Sequence, residues 1–454
     1  MGRGRGLRVC IVVRMIQNTE RNGSVRRGVN YDVRTGLQLL VLAAFQVTGS
    51  GCSSERGSPD PVAETDSAGV AVASNREGRW TADDSWSVFA EPRLILGVLD
   101  GAAEYQFSHI SAAARQADGD LVVADAGSHT VRLYDAEGDF KRLLGGPGSG
   151  PGEFQRPTQI LLQASDSILV WDDAAFRLTR FDSAGDFVDV HTFSRARIAK
   201  AISPPLYPGT AQLLSSNELL VRLIEKGKDD PVQNRSRGRS GVLRVSSSVA
   251  VIDTLMWFGD VEHVLADAPW GRQPVVPPLA RNTSIAVQPT GHRVCIGDQE
   301  GPEVSCFEPD GQSRSVRWQG DPILVHADDP DVARWRETTL ELYEFKLTPD
   351  EARHLVDQVS APVVRPEFSA LVLDREGNLW VERGPGGSAD SRMTEYLVFD
   401  PEGELLGALS MPPIRVLEIG SDYLLGVVRD ELEVEYLLLF KIEKPPTSVD
   451  RGSQ

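Results

Sequence analysis

Asp125, Asp172, Asp298, Arg383 and Arg429 are the residues whose types and spacing best suit chemistry. Asp125 and Asp172 stand 47 positions apart. Each closes a short apolar run, Leu121-Val-Val-Ala and Ile168-Leu-Val-Trp. Asp298 closes Val294-Cys-Ile-Gly, Arg383 follows Leu379-Trp-Val-Glu, and Arg429 follows the run from Tyr423. Four charges at one recurring address, with Arg429 close to it in the last repeat, make a ring of mixed sign, which can hold a small polar ligand or an ion. The plainer reading is that a repeat places Asp there to accept backbone N–H bonds and close a turn. That reading is the stronger one for Asp125 and Asp172. Arg383 and Arg429 break the pattern and are the better ligand-binding candidates.

Other chemistries find little support. His109, His263, His326 and His354 are scattered, and no His-x-x-x-His, His-Glu-x-x-His or Cys-x-x-Cys occurs, so no metal site and no cofactor are expected. Gly-x-Ser-x-Gly is absent. The Gly-rich run at 145–152 is not followed by Gly-Lys-Ser/Thr, so it is no phosphate loop. No catalytic residue is assigned. Arg235, Arg237 and Arg239 form a basic tract that reads as a solvated loop. The net charge of −18 and pI of about 4.9 argue against nucleic acid, whose binding is driven by Lys and Arg.

The elements that carry these residues repeat. After Asp125 come Thr130-Val-Arg-Leu-Tyr-Asp135 and Gly138-Asp139-Phe140; after Asp172 come Leu178-Thr-Arg-Phe-Asp182 and Gly185-Asp186-Phe187. A period of this size with several short strands per unit is the signature of a β-propeller. Second strands begin at Leu121, Ile168, Leu219, Val294, Leu379 and Tyr423, giving six blades. The last repeat lacks a fourth strand, and Leu94-Ile-Leu lacks a blade. Pairing the two closes the ring and removes two exposed sheet edges. The expected fold is all-β: a six-bladed β-propeller closed by an N-terminal strand, with a small helical insertion between blades four and five.

The connector Gly145-Gly-Pro-Gly-Ser-Gly-Pro-Gly-Glu-Phe154-Gln-Arg-Pro157, with the strands around it, resembles the NHL repeat of bacterial NHL/TolB-like propellers over residues 105–190. The resemblance implies a binding or interaction module. It also admits enzymes of the gluconolactonase or amidating-lyase type, which use pore-lining residues around a metal ion such as Ca or Zn. Leu223, Arg383 and Val427 at three of the equivalent positions argue against a carboxylate-rich cup.

Surplus residues fall at 225–241, 258–282 and 319–366. In a propeller, loops joining strands two and three and loops joining successive blades emerge on one face, and loops held by a rigid scaffold commonly bind. The third insertion reads as two helices. Asp331 to Phe345 places Trp335, Leu342 and Phe345 near one helical face, and Thr348-Pro349-Asp-Glu351 is a capping box opening a second helix. These helices are either a lid over blades four and five or a clip that braces them. Trp270, Trp335 and His326 are the binding candidates on the insertions. Cys295 and Cys306 sit on adjacent strands about the turn at Gln299, and the expectation is a disulfide, the alternative being two buried thiols.

The N-terminus carries eight Arg between Arg3 and Arg34, an apolar run from Leu37 to Val47, and Gly49-Ser-Gly-Cys52. Such an order describes an export leader, with a plain disordered N-terminus as the alternative. The apolar run is too short to span a bilayer as a helix. The segment resembles a bacterial lipoprotein signal with Cys52 as the lipidated residue, departing from it at Gly49. The expected organisation is a leader at 1–54, a linker at 55–84, the propeller at 85–444 with its helical insertion at 328–361, and a tail at 445–454. The expected protein is exported, periplasmic or anchored to the outer membrane by a lipid tether, and monomeric. It would bind a protein, peptide or glycan on the decorated face of blades three to five.

Overall fold

The structure is a computed structural model that describes residues 64–65, 70–81, 84–202, 206–225, 235–246, 248, 251–291, 293–383 and 393–445. The chain divides at Ser58 and Pro59 into two units. The leader, including Cys52, and the tail beyond residue 445 lie outside the described residues.

The second unit is a six-bladed β-propeller, each blade an antiparallel sheet. Blade one runs Ile110–Arg115, Leu121–Asp125, Thr130–Tyr134 and Phe140–Gly145. Blade two repeats it as Pro157–Leu162, Ile168–Asp172, Arg177–Phe181 and Phe187–Thr192. Their second strands are buried at every position. Each is covered on both faces by neighbouring sheets, so it reads as an unbroken apolar run. The tight turns before the fourth strands need a left-handed residue, supplied by Gly138 and Gly185 at φ 90° and 85°.

The core is distributed around the ring. One apolar cluster fills each interface, from blades one and two through two and three, three and four, four and five, and five and six, to six and one. The last cluster is completed by Leu96. Leu94–Leu96 pairs antiparallel with Leu437, Leu438 and Leu439, which closes the ring as the unpaired edges required.

The stretch expected as a linker over 55–84 is partly structural. Ala71–Asn75 adds in parallel to the outer strand Ser313–Trp318 of blade four. The N–H groups of Arg79 and Trp80 then donate to the carbonyls of Leu405 and Leu406 in blade five. Trp80 stacks at 5.3 Å on Trp86, which stacks at 5.8 Å on Trp380. Gly407 makes room for this, since a Cβ there would lie 2.3 Å from the Trp80 ring. The polar composition of this strap follows from its position on outer edges.

Blade three carries the corrections. Of the residues at 225–241 and 258–282, read as loops, 225, 235–241, 258–268 and 271–275 lie on strands Glu218–Glu225, Arg235–Ser246, Val251–Ala268 and Gly271–Val275, while 226–234 lie outside the described residues. Arg235, Arg237 and Arg239 therefore lie on a strand. Arg237 is held by Glu300 and by the carbonyls of Gly259, Asp260 and Asp298. A short helix α1, Arg195–Ala201, which the sequence reading missed, joins blades two and three and buries Ile198.

Helices α2, Pro330–Glu344, and α3, Pro349–Asp357, form the insertion. The Thr348 capping box and the Pro at the helix start are present. Both helices pack on the long hairpin of blade three, where Leu347, Leu355 and Val356 cover Val264, Ala266 and Val275. The expected placement over blades four and five is thus corrected. The inward face of α2 carries Trp335, Leu340 and Tyr343. Leu342 and Phe345, expected beside Trp335, point outward and are 60% and 71% exposed. Cys295 and Cys306 are joined by a disulfide between directly opposed residues of adjacent strands.

Candidate functional site

The recurring charged address is occupied by turn caps. Asp125 accepts the N–H groups of Ser108, His109, Gly127 and Ser128 and the Ser128 hydroxyl. Burial pushes its pKa up, but these five bonds to the ionised form outweigh burial and hold it below 3.8. Asp172 accepts from Gln155, Arg156 and Ala175. In both blades the two residues before the first strand are thereby pinned to the end of the second. Asp298, expected to match them, caps only Glu300 among the described residues. Its neighbour Gln299 takes the role, accepting from the Asn282 N–H and donating to the Phe368 carbonyl, each at 2.6 Å. Gln299 reaches both by adopting φ 61°.

The two arginines that break the repeat are engaged by carboxylates opposite them. Arg383 lies 3.6 Å from Glu395, and Arg429 is bound by Glu433 and Glu435 at 3.1 and 2.8 Å. Among the described residues no hydrogen bond or ion pair joins any two of Asp125, Asp172, Asp298, Arg383 and Arg429. Each is tied within or beside its own blade.

The insertions build a different site. A cavity of about 490 Å³ lies between the blade three hairpin, the second turn of blade four and residues 361–367. Its polar wall is an ion network: Arg281 bonds both Glu262 and Glu300, and Glu300 also bonds Arg237. The buried members of this network, Glu262 and Arg237, have side chains only 4% and 8% exposed and are paired with Arg281 and Glu300 respectively. The other wall is the returning insertion strand. Val364 bridges Leu324, and Arg365 clamps Asp329 with two bonds of 2.8 and 2.7 Å. This clamp leaves Leu324, Val363 and Val364 facing outward at 54%, 77% and 38% exposure.

Of the insertion candidates, Trp335 is a structural pin whose indole N–H bonds the Val276 carbonyl at 2.9 Å. Trp270 is 54% exposed at the hairpin tip, and His326 is exposed at the approach to α2. Sequence reasoning did not find Glu262, Arg281, Glu300 or Gln299. The signal available was the alternation in Val251–Ala268, which marks a strand where a loop was read.

A family model described as a 6-bladed beta-propeller matches residues 102–197. No curated protein matches the chain. Among solved structures, a Bacteroides fragilis protein described as exported is similar at 13% identity over 83% of this chain and 100% of its own, with a TM-score of 0.42. A member of the duf4221 family from Bacteroides vulgatus is similar at 11% identity over 80% and 99%, at 0.44. A gluconolactonase from Xanthomonas campestris is similar at 13% identity over 75% and 87%, at 0.33. Likenesses this distant transfer no activity and no ligand.

Proposed function

We propose that this protein is an exported, non-catalytic binding module of the NHL/TolB-like kind, tethered through Cys52, whose decorated face takes a protein or peptide partner. The observation that carries the reading is the exposed aliphatic set Leu324, Val363 and Val364 beside a cavity whose charged wall is already satisfied. Exposed apolar side chains beside an ion-paired polar frame suit a partner that buries them. Their aliphatic character favours a polypeptide over a glycan. The turn-capping roles of Asp125 and Asp172 also support it, since their carboxylate oxygens are occupied by the chain's own N–H groups.

The test is photo-crosslinking in the cell envelope from Val363 and, as a control, from Leu143, which is 50% exposed on the outer strand of blade one. A discrete adduct from position 363 that is absent from position 143 is expected. Equal adducts from both, or none from either, would sink the reading. Metal analysis on protein purified without chelator covers the rival. Stoichiometric Ca²⁺ or Zn²⁺ that supports lactone hydrolysis or elimination would move the function to a metal-dependent enzyme at the pore mouth.

A further inference from the structure

Helix α2 buries one side and leaves the other bare. Trp335, Leu340 and Tyr343 pack on the blade three hairpin. Away from them run two stripes with the same spacing. One is Thr338, Leu342 and Phe345; the other is Glu337, Glu341 and Glu344. Positions i, i+4 and i+7 share one side of a helix. The stripes are neighbours because each glutamate immediately precedes a member of the apolar stripe. All six residues are exposed, Leu342 and Phe345 by 60% and 71%. The acidic stripe is unfavourable for α2 by itself. Like charges three and four positions apart repel. Glu341 and Glu344 also lie in the last turn, where the helix dipole favours cations, and α2 has no basic residue there.

The cations of the insertion do not offset this stripe. Arg334 pairs with Asp331 at 3.6 Å, Arg336 with Asp357, Arg353 with Asp350, and Arg365 with Asp329 and Asp331. The Lys346 ammonium lies 5.1 Å from the centre of the Phe345 ring. Among the described residues the carboxylates of Glu337, Glu341 and Glu344 make no hydrogen bond or ion pair. Over residues 319–366 ten Asp and Glu face five Lys and Arg, a net of −5 in a chain of −18. The acidity is therefore concentrated on the insertion and is not only a general property of the surface. An apolar stripe needs apolar side chains to cover it, and the stripe beside it needs cations. A helix with a Lys/Arg stripe next to an apolar stripe supplies both at the same spacing. An anionic lipid surface, or the same face of a second copy, carries the wrong sign. A small polycation would leave Leu342 and Phe345 uncovered.

We propose that the outward side of α2 docks a basic amphipathic helix of a partner polypeptide. Its apolar residues lie on Leu342 and Phe345, and its Lys or Arg side chains on Glu337, Glu341 and Glu344. The inference rests on the reading of the insertions as a polypeptide-binding element and gives that polypeptide its charge. Its test uses none of Leu324, Val363 and Val364, so failure of the crosslink at 363 and failure here are separate results.

The probe is a fluorescent peptide of about 18 residues, long enough to form a helix, built from Leu and Lys in an amphipathic pattern. Its binding to the full chain is followed by anisotropy. One-to-one binding is expected. The same pattern with Ser for Leu should bind at least tenfold more weakly, and the pattern with Glu for Lys should not bind. Glu337→Gln/Glu341→Gln/Glu344→Gln and, separately, Phe345→Ala should each weaken the Leu/Lys peptide at least tenfold. All four positions are exposed, so the fold is retained, which circular dichroism checks. Glu91→Gln/Glu137→Gln/Glu431→Gln removes the same charge from exposed positions outside the insertion and should bind as wild type does. Equal weakening in that control would reduce the effect to overall charge and overturn the assignment. So would unchanged binding in either α2 variant, equal binding of the Ser/Lys peptide, or no binding of the Leu/Lys peptide. Displacement of the Leu/Lys peptide by an equal concentration of spermine would also overturn it, by making the occupant a small polycation.

Discussion

Blade one and blade three are built on the same plan and end up as different objects. Every strand of blade one has five or six residues and stops at the ring. The first four strands of blade three have 10, 8, 12 and 18 residues and overshoot it. Within the ring, each sheet is covered on both faces by its neighbours. Beyond it the hairpin has no neighbouring blade, and Val264, Ala266 and Val275 would face water. Helices α2 and α3 supply the missing cover. The insertion acts as a local substitute for a seventh sheet, and the cavity at Glu262 and Arg281 forms where that substitute meets the ring.

The largest effect expected from breaking this comparison is on closure. Deleting residues 87–96 removes Leu94–Leu96 from the last sheet and Leu96 from the cluster between blades six and one. The strand Glu435–Glu443 is left with an open edge. The single cooperative calorimetric transition should be lost. An unchanged melting curve would mean that the ring holds without its clasp.

Next come two truncations of similar size but different reach. Leu121→Ala in blade one and Leu355→Ala in α3 each remove a fully buried leucine, and each should cost about 2–5 kcal/mol. For Leu121 the whole transition should shift, because its cluster belongs to the ring. For Leu355 the loss should stay local, so that hydrogen exchange quickens at 258–275 and 330–357 while 121–125 stay protected. Faster exchange across the ring in Leu355→Ala would make the helices a brace for all blades and erase the distinction.

A smaller effect is expected from Asp125→Asn. Losing the charge from a buried carboxylate with five donors should cost about 1.5–3 kcal/mol. Because the folded pKa lies below 3.8, the charged form contributes stability above the unfolded value. That contribution is lost as pH falls through the folded pKa. The difference in Tm between wild type and variant should therefore be full at pH 6 and shrink below about pH 4. A difference independent of pH would show that the asparagine is penalised for shape and not for charge.

These contrasts also explain what was legible in the sequence. Blades one and two could be read because strand length, turn glycine and capping Asp all recur at fixed spacing, and no other element alters them. The closing strand was legible by elimination, from an unpaired edge at each end. The blade three hairpin was not, because strands that leave the ring no longer end at the turn residues of the repeat. Residues 225–241 and 258–282 therefore looked like surplus loop. The placement of α2 and α3 was hidden for a related reason. Their chain position lies between blades four and five, but the exposed apolar face they had to cover belongs to blade three. Glu262, Arg281 and Glu300 form a network across three segments distant in sequence, and no local spacing announces it. Arg383 and Arg429 stood out in the sequence because they departed from the repeat. Their partners Glu395 and Glu435 stand directly opposite in register, and cross-strand pairing explains the departure.

The smallest predicted effect tests how far the insertion is autonomous. The Thr348 hydroxyl accepts the Glu351 N–H, and the Glu351 carboxylate accepts the Thr348 N–H and hydroxyl. Those two bonds, the hydroxyl's first, hold the Glu351 pKa below 4.5. Thr348→Ala removes the hydroxyl and should cost about 1 kcal/mol, the usual weight of a Thr cap. It should also let the Glu351 titration move up toward 4.5 without reaching it, because the backbone N–H bond survives. Carboxylate chemical shifts followed by NMR would read this directly. If the shift stays at its wild-type position, the hydroxyl is not the main support of the charged form, and the helix start is held instead by the packing of Ala352 and Leu355 on the hairpin. The insertion would then owe its order to blade three alone.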